Sequence, residues 1–315
     1  MKTVLIIAAV LIVLWFLAAL VLFNIACRRA RRKPPAASTD DTTGKAWAVY
    51  ADIIRAGADW FRAQNYENLE LKSFDGLRLK AYFLPADTPS PRGVLIIFHG
   101  YRSTPLRDMG ASVRYYHSLG FHVILPFQRA CGDSEGTYMT FGARERRDVK
   151  SWADYAAVRF GGGVPIVLAG ISLGCASVLM SLGLELPANV RCAVADCGYS
   201  SIYGELKSVL KSKFHLPPEP LLGTVNIWCR LLGGFDIHES PIPEIMRSNK
   251  IPVLFIHGEA DDFVPTRFSR ENFEACAAPK ELFTVPGAQH ALSYMVDTQG
   301  YHQALENFLD KYLQQ

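Results

Sequence analysis

The sequence holds no Cys-x-x-Cys pair and no Asn-x-Ser/Thr sequon anywhere in its 315 residues. The first absence removes the usual zinc and dithiol redox sites, and the second leaves nothing that points to N-glycosylation. Seven cysteines (27, 131, 175, 192, 197, 229 and 276) form an odd, irregularly spaced set, several of them inside apolar runs. They make no disulfide framework, and buried free thiols fit a reducing compartment better than a secreted one. Acidic residues are missing from positions 1–33, where Lys2, Arg28, Arg29, Arg31, Arg32 and Lys33 stand unopposed. The overall net charge of +3 therefore leaves −3 on the rest of the chain. No basic surface remains to suggest nucleic acid as a partner.

Charge is also absent from Val4 to Ile25, a run rich in Leu, Ile, Val and Ala. As a helix it is about 33 Å long, enough to cross a hydrocarbon core of about 30 Å. A signal peptide fits less well, because the run is too long and a basic cluster stands where a small-residue cleavage site belongs. Cys27 invites a lipoprotein reading, but Asn24 occupies the place where such motifs carry a Leu-like residue. Five basic residues follow the run within eight positions and only Lys2 precedes it. The positive-inside tendency then expects a single-pass protein of the cell membrane with residues 28 onward in the cytoplasm.

The organisation expected is a transmembrane anchor over 1–27, a basic juxtamembrane segment and linker over 28–46, and a catalytic domain over 47–315. The composition of that last part is globular, with half the whole chain hydrophobic and 20% charged. Residues 34–44, rich in Pro and small polar residues, read as linker. A helix is expected from about Trp47 to Ala63, and then Asp75-Gly76 joins two alternating runs as a hairpin. Six short apolar runs follow, at 94–100, 122–127, 165–170, 192–197, 252–258 and 281–287. Helical stretches fill 106–119, 143–159, 173–184, 267–278 and 298–313. An antiparallel hairpin feeding a mostly parallel, doubly wound α/β sheet is the expected architecture, and in such sheets ligands bind at the carboxyl ends of the strands.

Gly170-Ile171-Ser172-Leu173-Gly174 directly follows one of those runs and opens a helical stretch. Strand, G-x-S-x-G, helix is the setting of a nucleophile elbow, in which the glycines let a tight turn close while the serine projects from the sheet edge. A glycine-bracketed turn with an idle serine is the plain alternative. A serine hydroxyl needs a neighbouring base, and of eight histidines His290 lies in a loop between the last strand and the last helix. That gives the chain order Ser, acid, His which the elbow requires. The acid must fall between them, and the loop after 252–258 offers Glu259, Asp261 and Asp262, with Asp261 the first choice. Asp196, after another strand, is a rival. Two backbone N–H groups would hold an oxyanion: Leu173, after the nucleophile, and Tyr101, after the strand 94–100.

FHGY at 98–101, QRACGDSEG at 128–136, GISLG at 170–174, HGEADDFVP at 257–265 and GAQH at 287–290 occur in that order. In this the chain resembles α/β-hydrolase proteins of the serine aminopeptidase S33-like group, many of them membrane-anchored bacterial hydrolases, over roughly residues 68–313. The resemblance implies the α/β-hydrolase fold, a small helical lid at about 198–250, and Asp261 as the acid. Relatives carry His after Arg-Ala in the second motif, where this chain has Cys131. In the lid, Tyr199, Tyr203, Phe214, Leu221, Leu222, Trp228 and Leu231 suit either an apolar substrate pocket or the lid's own core.

The function expected is hydrolysis of a carboxylic ester, small or lipid-like, through an acyl-enzyme on Ser172, Asp261 and His290, with no metal or organic cofactor. A peptidase, amidase or acyltransferase would use the same residues. A non-catalytic membrane-anchored binding protein is the alternative outside enzymes.

Overall fold

The computed structural model describes residues 1–29 and 44–313. All but Gly44 of the linker expected at 34–44, and the basic residues 31–33, lie outside the described residues. The first helix, α1 (Lys2–Cys27), covers the whole charge-free run and is 26 residues long. It is long and apolar enough to cross a membrane.

Where one unbroken helix is expected from Trp47 to Ala63, there are two, α2 (Gly44–Ala48) and α3 (Ala51–Arg62), separated by a turn at Val49 and Tyr50. The hairpin strands β1 (Glu67–Lys72) and β2 (Arg78–Leu84) pair antiparallel across Asp75-Gly76. Strand β3 (Gly93–Phe98) is followed by α4 (Pro105–Asp108) and α5 (Val113–Ser118) rather than the single helix expected over 106–119. The break has a packing cause. A Cβ on Gly110 would lie 2.5 Å from the carbonyl oxygen of Ile54, so the chain bends there to let α3 approach backbone to backbone.

The remaining elements alternate as the apolar runs imply. Strand β4 (Phe121–Pro126) leads to α6 (Glu145–Phe160), β5 (Ile166–Ile171) to α7 (Leu173–Ser181), and β6 (Val190–Asp196) to the lid. The lid comprises α8 (Ile202–Lys213), α9 (Leu221–Trp228), a π-helical turn at Cys229–Gly233 and α10 (Ile242–Met246). Strand β7 (Val253–Gly258), α11 (Arg267–Ala275), β8 (Lys280–Val285), α12 (Ser293–Val296) and α13 (Thr298–Leu313) complete the chain.

The eight strands form one sheet in the order β1-β2-β4-β3-β5-β6-β7-β8, with β2 antiparallel to both of its neighbours and every pair from β4 to β8 parallel. This is the α/β-hydrolase fold. Because helices cover both faces, alternate residues of one strand enter different cores. Val94, Ile96 and Phe98 pack with α6 and α7, while Leu95 and Ile97 pack with α3, α5 and α13. The strand ends that carry the candidate residues are therefore held from both sides.

The end of α1 belongs to this body. Ala19, Phe23 and Cys27, four residues apart and so on one side of the helix, are fully or almost fully buried in the core that also holds α6, α7 and α9. Phe23 meets the Tyr138 ring with centroids 4.9 Å apart. The amide of Arg29 donates to Thr137 O at 2.8 Å and that of Met139 to Cys27 O at 2.7 Å. The Arg29 guanidinium reaches the carbonyls of Ser134 and Gly132 at 2.6 and 2.5 Å.

Candidate active site

Ser172 sits between β5 and α7 with φ 55° and ψ −116°, a conformation that L side chains rarely adopt and that costs of order 1–3 kcal/mol. Close approach on both sides holds it there. A Cβ on Gly170 would stand 2.3 Å from the Gly174 carbonyl carbon, and one on Gly174 would stand 2.0 Å from Phe98 O. Only glycine fits at either position, so the pentapeptide is a packing requirement of this turn. The Ser172 amide donates to Asp196 O at 2.9 Å, tying the elbow to the next strand.

His290 follows β8 in the loop before α12. Its Nε2 lies 2.9 Å from Ser172 Oγ and its Nδ1 lies 2.7 Å from Asp261 Oδ2. Asp261 follows β7, and its carboxylate is fully shielded from solvent. Oδ1 accepts the amides of Phe263 at 3.0 Å and Val264 at 2.8 Å. Burial alone would raise its pKa, but hydrogen bonds from His257 and His290 outweigh that and hold the carboxyl well below the usual range. His257 Nε2 is nearer to Val264 O, at 2.8 Å, than to Asp261, at 3.2 Å. We therefore assign its single proton to the carbonyl and most of the stabilisation of Asp261 to His290 and the two amides.

The other carboxylates of the loop point elsewhere. Asp262 is 78% exposed and pairs with Lys213 at 2.9 Å, and Glu259 accepts from Thr284 Oγ1 at 2.8 Å. Asp196 is buried beside the elbow, where desolvation pushes it up to about 6, and its carboxylate meets the Tyr301 hydroxyl at 3.3 Å rather than an imidazole. Cys197 brings its sulfur within 4.8 Å of Asp261 and His290 donor atoms, a set that could hold a metal ion. Burial raises that thiol well above its ordinary pKa, away from the thiolate that binds metals.

Leu173 opens α7, where the N–H of a first helical residue has no acceptor within its own helix. Tyr101 follows β3, and both residues line the same cavity as Ser172 and His290. Asp108 shapes the loop between them, accepting the Gly100 amide at 2.7 Å and the Ser103 hydroxyl. The second motif is structural. Gln128 braces His99, its amide donating to His99 Nε2 at 3.0 Å, and Arg129 is buried between Asp148 and Asp75, at 2.6 and 2.9 Å. Cys131 is buried against Met139 with the sulfurs 3.4 Å apart.

The cavity above Ser172 has a volume of about 810 Å³, within the range of small-molecule sites. Of the lid residues named from sequence, Tyr199, Phe214, Leu221 and Leu222 line it, while Tyr203, Trp228 and Leu231 do not. Three contributors escape sequence reasoning. Leu22, Ile25 and Ala26 of α1 form part of the wall. Trp47 donates its indole N–H to His290 O at 3.1 Å. Glu205 of α8 is buried with Oε2 unpartnered, and desolvation pushes its pKa up to about 8. No motif marks any of them.

No family model matches the chain. The uncharacterized protein YqkD of Bacillus subtilis is 29% identical over 273 residues, covering 82% of this chain and 86% of that protein. Among solved structures, the esterase PF2001 of Pyrococcus furiosus superposes with a TM-score of 0.65 at 20% identity, over 90% of this chain and 99% of that one. Est1E of Butyrivibrio proteoclasticus, solved with ferulic acid bound, gives 0.63 at 18% identity, over 78% of this chain and all of that one. At these identities the likeness is one of fold.

Proposed function

We propose that this chain is a serine hydrolase that cleaves a carboxylic ester through an acyl-enzyme intermediate. The observation that carries the reading is the unbroken hydrogen-bonded line from Asp261 to His290 to Ser172, at 2.7 and 2.9 Å. A buried carboxylate on one imidazole nitrogen and a serine hydroxyl on the other is the arrangement that activates serine. Ser172 Oγ bonds to the ester carbonyl carbon as its proton passes to His290 Nε2. The carbonyl oxygen takes up the negative charge, facing the Leu173 and Tyr101 amides, each such donor being worth roughly 10²–10³ in rate. The carbon–alkoxide bond then breaks, and the alkoxide leaves with the proton from His290. Water repeats the sequence on the acyl-enzyme, releasing the acid and restoring the serine.

Asp261 holds the imidazole tautomer and stabilises the imidazolium throughout. The strained backbone at Ser172 and the two glycines around it support the nucleophile's role independently of the hydrogen bonds. The esterases among the solved structures of this fold support an ester as substrate. The five motifs in order favour placement in the serine aminopeptidase S33-like group, which keeps amide hydrolysis as a second reading. The burial of Phe23 and Cys27 supports retention of α1 as an anchor, because cleavage after it would uncover a hydrophobic slot in the catalytic body. The basic flank and seven buried free thiols support a cytoplasmic catalytic domain.

A fluorophosphonate probe tests the nucleophile: it should label the full-length protein, and Ser172→Ala should abolish labelling while the fold persists. Labelling that survives the substitution would place the nucleophile elsewhere. Acyl esters of graded chain length beside aminoacyl amides decide the substrate, since turnover of amides alone sinks the ester reading.

A further inference from the structure

The docked end of α1 leaves little free helix. Trp15 already donates its indole N–H to Thr224 Oγ1 of α9 at 2.8 Å, and Trp228 of α9 donates to Phe16 O at 3.1 Å. The stretch 2–14 precedes the first hydrogen bonds to the lid, about 20 Å of helix at about 1.5 Å per residue. A hydrocarbon core is about 30 Å thick. If α1 spans the bilayer, the shortfall of about 10 Å brings the lid's α9 up to the near leaflet unless the bilayer thins around it. The composition of that part of the lid agrees. Ile227, Leu231 and Leu232 are chain neighbours of Trp228, which reaches Phe16 O, and of Gly233, which lies against Phe23, and they are 40%, 69% and 45% exposed. Two tryptophans with satisfied indoles stand at the same level, where interfacial aromatics concentrate.

The same helix supplies the wall of the cavity. Leu22, Ile25 and Ala26 line it together with Leu221, Leu222 and Val225 of α9. The backbone of α1 is clamped at that point, since the Tyr101 hydroxyl donates to Ala26 O at 2.6 Å and the Arg102 guanidinium donates to Arg28 O at 3.1 Å. Tyr101 thereby joins the membrane helix to the loop that carries one of the two oxyanion donors. A cavity walled on this side by apolar side chains of α1 and α9 is suited to an acyl chain.

We infer that the end of α1 is a substrate-binding wall, and that the site takes the acyl chain of an ester resident in the leaflet where α9 lies. This rests on the ester-hydrolase reading of Ser172. It makes the substrate an amphiphile that enters from the bilayer, and it makes α1 part of the binding site as well as its tether.

Two measurements on the full-length protein in phosphatidylcholine vesicles test this. Ala26→Phe and Leu22→Trp narrow the wall. For each, kcat/KM for a palmitoyl ester should fall relative to an acetyl ester by about tenfold or more, carried by KM, the scale on which apolar pockets discriminate. Leu11→Trp, on the clear part of α1, should leave the ratio within about twofold. Equal losses for both esters, or none, overturn the wall. The second measurement needs no turnover. A nitroxide on Leu231→Cys should meet lipid-soluble oxygen more readily than an aqueous nickel chelate, and one on Val158→Cys, at the far end of α6, the reverse. The seven native thiols are buried and will not compete. A Leu231 label that behaves like the Val158 label overturns the seating in the leaflet, as does a mature protein lacking residues 1–27. Wild-type protein that neither labels with fluorophosphonate nor turns over any ester fails the serine-hydrolase reading itself, and the nitroxide result then stands apart from it.

Discussion

The two sides of the cavity are built on different plans. Below, Ser172, Asp261 and His290 each stand within a few residues of a strand end, and helices on both faces of the sheet lock those strands. Above, α1, α8 and α9 come from the N-terminus and from an insertion, and they leave apolar side chains in the open. The lower side tolerates no change of backbone, as Gly170 and Gly174 show. The upper side is a surface of exchangeable apolar volume. The candidate residues stand on the rigid sheet edge, and the apolar wall of the cavity stands on helices outside it.

The sharpest way to break this contrast is Ser172→Ala, which should remove about 10⁶-fold of kcat with no loss of stability. A drop confined to KM would mean that the lower side binds rather than reacts. Asp261→Asn should cost about 10⁴-fold in kcat, whereas Asp262→Asn, on an exposed surface pair, should stay within about twofold. The reverse order would reassign the acid. On the upper side, Phe23→Ala should weaken the docking of α1 by about 3 kcal/mol or more. It would be read as faster hydrogen exchange at the Arg29 and Met139 amides and as a higher KM at nearly constant kcat. If kcat collapses instead, the two sides are one unit and the contrast fails.

The smallest effect concerns Glu205. Its pKa is raised to about 8 in the folded protein by burial, against about 4.3 in an unfolded chain. Between those values the native state holds a proton that the unfolded state has lost, so stability falls as pH rises through this window. Glu205→Gln should remove that contribution. Thermal unfolding followed from pH 5 to 8 should show a flatter profile for the variant, with the wild type relatively weaker at pH 8. Parallel profiles would mean that the carboxyl is solvated or paired.

The lower side was largely legible from sequence because its signals are local. Short apolar runs mark the strands, and each candidate residue falls within a few residues of a strand end, in an order that the fold constrains. Position 261 needed family pattern, since alternation does not separate three adjacent acids and the deciding fact is the pair of amides from Phe263 and Val264. The upper side was legible only as a lid of undefined lining. A helix that is apolar all round carries no periodicity to show which side meets protein, so nothing distinguished buried Phe23 from exposed Val21. The bend at Gly110 escaped for a related reason: it is set by close packing against Ile54, far away in the sequence.

The docking of α1 also constrains how this protein can be rebuilt. An α-helix turns about 100° per residue. One residue added within 2–14 rotates and lifts only the clear end. One residue added between Ala19 and Cys27 would swing Phe23 out of its slot and Leu22 away from the cavity. Exchange of the N-terminal half should therefore be permitted, while the last two turns must keep their phase, because they pack into the folded body as one of its own core helices.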